Sequence, residues 1–123
     1  MHPLNVVIVQ SDSQLAMLLA DSLRQHFYAV HTSPSLAELR AAVLKHRALV
    51  VVLDVELAGL VEVQQLRREF KNICIVCTHR LADEDMWSDV LSAGATDICC
   101  SSDIPGILAA TLRHTPAALT AAA

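Results

Sequence analysis

Residues 48–54 read Ala48-Leu49-Val50-Val51-Val52-Leu53-Asp54, six apolar side chains closed by one acid. Its core is β-branched and shows no polar alternation. A strand of that kind is covered on both faces, as in the middle of a parallel sheet. The hydrophobic run stops at Asp54, so a carboxylate stands where the strand ends.

Outward from this strand the pattern repeats. Toward the N-terminus, Val6-Val7-Ile8-Val9 is a second buried-strand run, and Ser11-Asp12-Ser13 after it supplies a helix cap. Leu15, Leu18, Leu19, Leu23 and Phe27 recur at helical spacing. Tyr28 to Thr32 reads as a strand. Ser33-Pro34 reads as an N-cap with proline at the first helical position, before a stripe of Leu36, Leu39, Val43 and Leu44.

Toward the C-terminus, the spacing predicts a helix over Leu57 to Phe70, with Leu60, Val63, Leu66 and Phe70 on its apolar side. Ile73 to Cys77 is the fourth strand. Asp83-Glu84-Asp85 brings acids to the start of a helix, where the macrodipole favours them, and Gly94 ends that helix. Ile98 to Cys100 is a short fifth strand. A last helix runs from about Asp103 to His114, with Pro105 tolerated in its first turn. Residues 1–115 form the expected domain, and 116–123 read as an Ala-rich tail or the start of a linker.

Five strands alternating with five helices predict an α/β domain with a doubly wound parallel sheet. Ligands in such sheets sit beyond the carboxyl ends of the strands. The residues expected there are Gln10, Ser11 and Asp12; Asp54 to Glu56; Thr78 and His79; and Ser101 and Ser102.

Composition narrows the function. The chain of 123 residues is 54% hydrophobic and 18% charged, which excludes a disordered chain. No apolar run exceeds six residues, far short of the roughly 20 a membrane span needs. The start Met1-His2-Pro3-Leu4-Asn5 lacks the basic region of a signal peptide, so a cytoplasmic location is expected. Net charge is −4, and the basic cluster Arg67, Arg68 and Lys71 is expected to be a solvated helix face. Direct nucleic-acid binding is not expected. The three glycines, at 59, 94 and 106, form no phosphate loop, and no nucleophile elbow or Ser/His/Asp set is evident. An independent enzyme is therefore not expected.

Four features together resemble the receiver domain of bacterial response regulators. A hydrophobic third strand ends in Val51-Val52-Leu53-Asp54. The fourth ends in a hydroxyl residue, Val76-Cys77-Thr78. Ala93-Gly94-Ala95 follows, and Asp97 precedes the fifth strand. The likeness covers about Asn5 to His114. It implies a (βα)5 flavodoxin-like fold with strand order 2-1-3-4-5 and a role in two-component phosphorelay signalling. It also implies that Asp54 is the phosphoacceptor and Thr78 the switch hydroxyl. The expected partner is a histidine kinase or another signalling protein. A homodimer through the face of helix four, strand five and helix five is a further expectation. That would involve Trp87, Val90, Ile107 and Leu108.

The sequence departs from this family's pocket. The acidic pair after strand one is replaced by Gln10 and Ser11, and the lysine after strand five by Ser101. Ala58-Gly59 stands for the usual Pro-Gly, and Ile98 for the usual aromatic. Asp12 and Glu56 are the substitute acids that would join Asp54 around a Mg²⁺ ion, and metal affinity should fall sharply. Two readings follow: a receiver phosphorylated on Asp54 in an atypical pocket, or a pseudo-receiver that works by protein interaction alone.

The remaining candidates read as structural. Cys74 and Cys77 point to opposite faces of a strand, as do Cys99 and Cys100. Neither spacing suits zinc, and all four are expected to be free thiols, although Cys74 and Cys99 could meet across strands. The six histidines show no ligand spacing, and His79 is expected in a surface loop. Trp87 reads equally as a core or a partner-surface residue.

Overall fold

The central strand is β3, Val50–Asp54, and every one of its residues is buried. In the computed structural model, which describes residues 2–114, four more strands lie parallel to it. They are β1 (His2–Val9), β2 (Phe27–Ser33), β4 (Cys74–His79) and β5 (Asp97–Cys100), in the order β2-β1-β3-β4-β5. The helices between them are α1 (Ser13–Arg24), α2 (Leu39–His46), α3 (Leu60–Glu69), α4 (Glu84–Ala93) and α5 (Ile104–His114). The expected fold and strand order are both present. The stretch 116–123 lies outside the described residues.

Alternation along the strands builds two cores. Val7, Val9, Val51, Leu53, Ile75, Cys77 and Ile98 face one side, where α2, α3 and α4 contribute Leu39, Val43, Val63, Leu66 and Val90. Val6, Ile8, Val50, Val52, Cys74 and Val76 face the other, against Leu19 and Leu23 of α1 and Ile107 of α5. Full burial of one such side chain stabilises by roughly 1.5–3 kcal/mol, so continuous apolar strands hold both helical layers. Cys74 and Cys77 fall on opposite sides, as period-two geometry requires. Cys99 lies opposite Thr78 in the β4–β5 register, four residues from Cys74. At about 3.3 Å per residue that is roughly 13 Å, too far for a disulfide. Among the described residues, no helix is long and apolar enough to cross a membrane.

Several boundaries differ from expectation. Ser33 does not cap α2; its backbone carbonyl accepts from Gln10 N, and it remains in β2. A 3-10 turn, Leu36–Glu38, leads into α2 instead. The α3 helix starts at Leu60 rather than Leu57, because the Leu57 and Ala58 N–H groups turn back onto the Asp54 carbonyl. The Glu62 carboxylate then accepts from Gly59 N at 2.9 Å and closes the helix start. Leu18 and Leu60 are exposed, not core residues. Phe27 opens β2 instead of closing α1. β4 runs on through Thr78 and His79, so His79 is a half-buried strand end and not a loop residue.

Arg67 is the largest departure from the solvated face read in the sequence. Its guanidinium is partly buried and donates to the carbonyls of Gly94, Phe70, Lys71 and Ile73 and to Thr96 Oγ1. One side chain thereby ties the end of α3 to the start of β4 and the loop before β5.

Candidate functional site

Parallel strands place all their carboxyl ends at one edge. Gln10, Asp54, Thr78 and Ser101 meet that edge from β1, β3, β4 and β5, and all four are buried. Asp54 and Thr78 lie opposite each other in the β3–β4 register. Ser101 N donates to His79 O at 3.1 Å, which ties the turn after β5 to the end of β4. The β3–α3 loop closes around Asp54: Val55 N donates to Thr78 O at 2.9 Å, and Glu56 N donates to Asp54 Oδ1 at 3.0 Å.

The Asp54 side of this edge is short of compensation. Asp54 is 4% exposed, and burial pushes its carboxyl pKa up. The Glu56 N–H pulls it down, the Glu56 charge raises it, and His79 and Arg80 lower it. Thr78 is 2% exposed, and its Oγ1 has no hydrogen-bond partner among the described residues. An unmade bond at a buried hydroxyl costs about 1–3 kcal/mol.

The expected metal acids do not converge. Asp12 caps α1, its Oδ1 accepting from Gln14 N and Leu15 N at 3.0 and 3.1 Å. Gln10 turns its Oε1 onto Asp12 N at 3.0 Å. Glu56 faces the β4–α4 loop, where Arg80 Nε donates to its two oxygens at 2.9 and 3.0 Å and Arg80 N donates to Oε1 at 2.9 Å. His79 Nδ1 lies 3.6 Å from the same carboxylate and accepts from Leu81 N. Arg80 holds the Glu56 pKa below the usual carboxylate range. Among the described residues, no three His, Cys, Asp or Glu side chains are arranged to hold a metal ion. A hard divalent cation wants carboxylate oxygens, and the donors present do not fit one.

The sequence carries no mark that pairs Arg80 with Glu56; the strand register supplies it. Asp54 and Thr78 are registered partners, and Glu56 and Arg80 each lie two residues beyond them. Residues equally displaced past a registered pair leave the sheet side by side. A cavity of about 380 Å³ next to this loop pair is lined by Val55, Ala58, His79, Asp83, Met86 and Val90, among others. On the helix-four side, Trp87 is 50% exposed, whereas Val90 and Ile107 are core residues and Leu108 packs half-buried against the α1–α5 core. Of the four expected face residues, Trp87 is the one that clearly presents to solvent.

No family model and no curated protein matches the chain. Solved structures do. A chemotaxis response regulator of Vibrio cholerae aligns with a TM-score of 0.78 and 22% identity over 90% of this chain and 97% of that one. A response regulator from Thermotoga maritima aligns at 0.78 and 18%, over 89% and 93%. The isolated receiver domain of RcsB from Salmonella enterica serovar Typhimurium, determined with the phosphomimetic BeF3⁻, aligns at 0.78 and 19%, over 98% of each chain. The chain therefore has the fold of response-regulator receiver domains.

Proposed function

We propose that this receiver-fold chain is a cytoplasmic regulatory domain in bacterial two-component signalling, with Asp54 as its phosphoacceptor. The observation that carries this reading is the pairing of Asp54 with the orphaned hydroxyl of Thr78. A buried donor with nothing to bond is costly unless an acceptor arrives. A phosphoryl oxygen on Asp54 is such an acceptor, so Thr78 is the candidate switch group.

In this reading the Asp54 carboxylate attacks the phosphorus of a phosphohistidine or acyl phosphate. The bond from phosphorus to the donor atom breaks, and the donor leaves with its electron pair. Burial favours the step once the donor is docked, because a desolvated carboxylate loses less hydration on attack. Ser101, in the place of a lysine, contributes a neutral group at the same edge. A histidine kinase or another signalling protein is the partner that supplies phosphate. Trp87 marks the side on which a homodimer or output partner would dock.

Intact-mass spectrometry after incubation with acetyl phosphate tests this, with Asp54→Ala as the control. A phosphoryl adduct on the wild type and none on the variant is expected. The neutral Gln10, Ser11 and Ser101 favour the second reading, a pseudo-receiver acting through binding alone. No adduct on folded wild type, with a functional receiver labelled in the same tube, would select it.

A further inference from the structure

The counter-charges implied by the resemblance, a divalent cation and a lysine, have no fitting residues here. Gln10, Ser11 and Ser101 are neutral, and Asp12 is committed to the α1 cap. What stands next to the pocket is a guanidinium. Arg80 leaves β4 two residues past Thr78, and Glu56 leaves the end of β3 two residues past Asp54. Glu56 donates its N–H to Asp54 and holds Arg80 with its carboxylate, so the acid and the guanidinium belong to one connected unit.

The Arg80–Glu56 pair is easy to exchange. The Arg80 side chain is 77% exposed, and among the described residues its guanidinium donates to Glu56 alone. Exposed ion pairs are worth about 0–1 kcal/mol. A phosphoryl group offers a guanidinium more charge and a matching bidentate edge. Adding such a group to Asp54 also sets it against the Glu56 carboxylate, two residues away. Both effects move Arg80 in the same direction.

We propose that Arg80 is the resident counter-charge of this pocket, stored on Glu56 and passed to the phosphoryl group on Asp54. Modification then proceeds without a divalent cation and frees Glu56 in the β3–α3 loop. This rests on Asp54 being the phosphoacceptor. With an acyl phosphate, a bond forms from Asp54 Oδ to phosphorus, the bond from phosphorus to the acyl oxygen breaks, and the carboxylate departs with the electron pair. No net proton transfer is required, and the charge left on the phosphoryl oxygens is what Arg80 meets.

The test is the rate of adduct formation from acetyl phosphate, by intact mass, in EDTA and in Mg²⁺. Wild type, Arg80→Ala, Arg80→Lys and Glu56→Gln are compared, with thermal melts to show that each is folded. Wild type should label equally in EDTA and Mg²⁺. Arg80→Ala should slow labelling by roughly 10-fold or more, toward the range of a lost electrostatic donor. Arg80→Lys should recover part of the rate. Glu56→Gln should label faster than wild type, because it releases Arg80. A merely structural ion pair would move Arg80→Ala and Glu56→Gln the same way. Adduct that requires Mg²⁺, or that forms at wild-type rate in Arg80→Ala, overturns the inference and leaves Asp54 the phosphoacceptor. No wild-type adduct in either medium removes both.

Discussion

Arg67 Nε donates to the carbonyl oxygen of Gly94 at 2.8 Å, across 27 residues of chain. Gly94 ends α4 in the left-handed region, at φ 118°, where only glycine is at ease. A Cβ there would also stand 2.8 Å from Arg67 Cγ. The turn after α4 and the arginine on α3 therefore need each other. Burial lowers the pKa of Arg67, yet a guanidinium stays charged, and neutral carbonyls satisfy its fork. Arg67→Ala should destabilise by roughly 2–4 kcal/mol, since several partly buried carbonyls lose their donor. Arg67→Lys should fail to restore most of it, because an ammonium cannot reach the same spread of acceptors. Urea unfolding curves measure both.

Thr78→Val is expected to keep or raise stability, by up to about 1 kcal/mol, because it removes a buried hydroxyl that has no hydrogen-bond partner among the described residues. The same change should weaken any conformational response to phosphorylation. Chemical denaturation reads the first effect, and a phosphorylation-dependent shift in Trp87 fluorescence reads the second.

Asp54 gives stability a defined pH dependence. Its folded pKa is raised, so the native state holds this proton more firmly than the unfolded chain does. The stability from that proton is present below the unfolded carboxylate pKa and is lost as pH rises through the folded value. Asp54→Asn should therefore melt higher than wild type at neutral pH. Its advantage should shrink on acidification toward pH 4. A melting temperature that does not rise at pH 7 would contradict the burial account.

His31 works in the opposite sense. Its ring stacks on His46 at a centroid separation of 3.5 Å, joining β2 to the end of α2. Burial first, then the charges of His46, Arg24 and Lys45, lower its pKa. The unfolded chain binds this proton more readily, so stability falls as pH drops below the unfolded value of about 6.5. His31→Gln should flatten that loss between pH 7 and 5. Stability curves with an unchanged slope in that window would reject it.

The thiols should react in a fixed order. Burial pushes Cys77 up to about 12 and Cys74 and Cys99 up to about 11. Cys100 is held lower by its contact with Ser102 Oγ at 3.5 Å. A thiol-reactive disulfide reagent at pH 8 should label Cys100 first and leave Cys77 until the protein unfolds. Peptide mapping after a short exposure shows the order.

Much of the molecule was legible from periodicity. The runs at Val6–Val9 and Ala48–Leu53 could be buried only between two helical layers, and that requirement leads to the doubly wound sheet. Asp54 and Thr78 were legible for the same reason, because a polar residue closing an apolar strand falls at the ligand-bearing edge. The burial of Arg67 is not legible, because a basic cluster on a helix carries no mark of the carbonyls that another loop will bring to it. The Arg80–Glu56 contact is not legible either, because the acid lies 24 residues earlier in the chain. Hydrophobic spacing is local and survives in one dimension, so the sequence by itself determined the two helical layers and put Asp54 and Thr78 at the carboxyl edge of the sheet. Sheet closure alone decided which loops meet. Only the tertiary structure could therefore orphan the Thr78 hydroxyl, bury Arg67 against Gly94 and set Arg80 on Glu56.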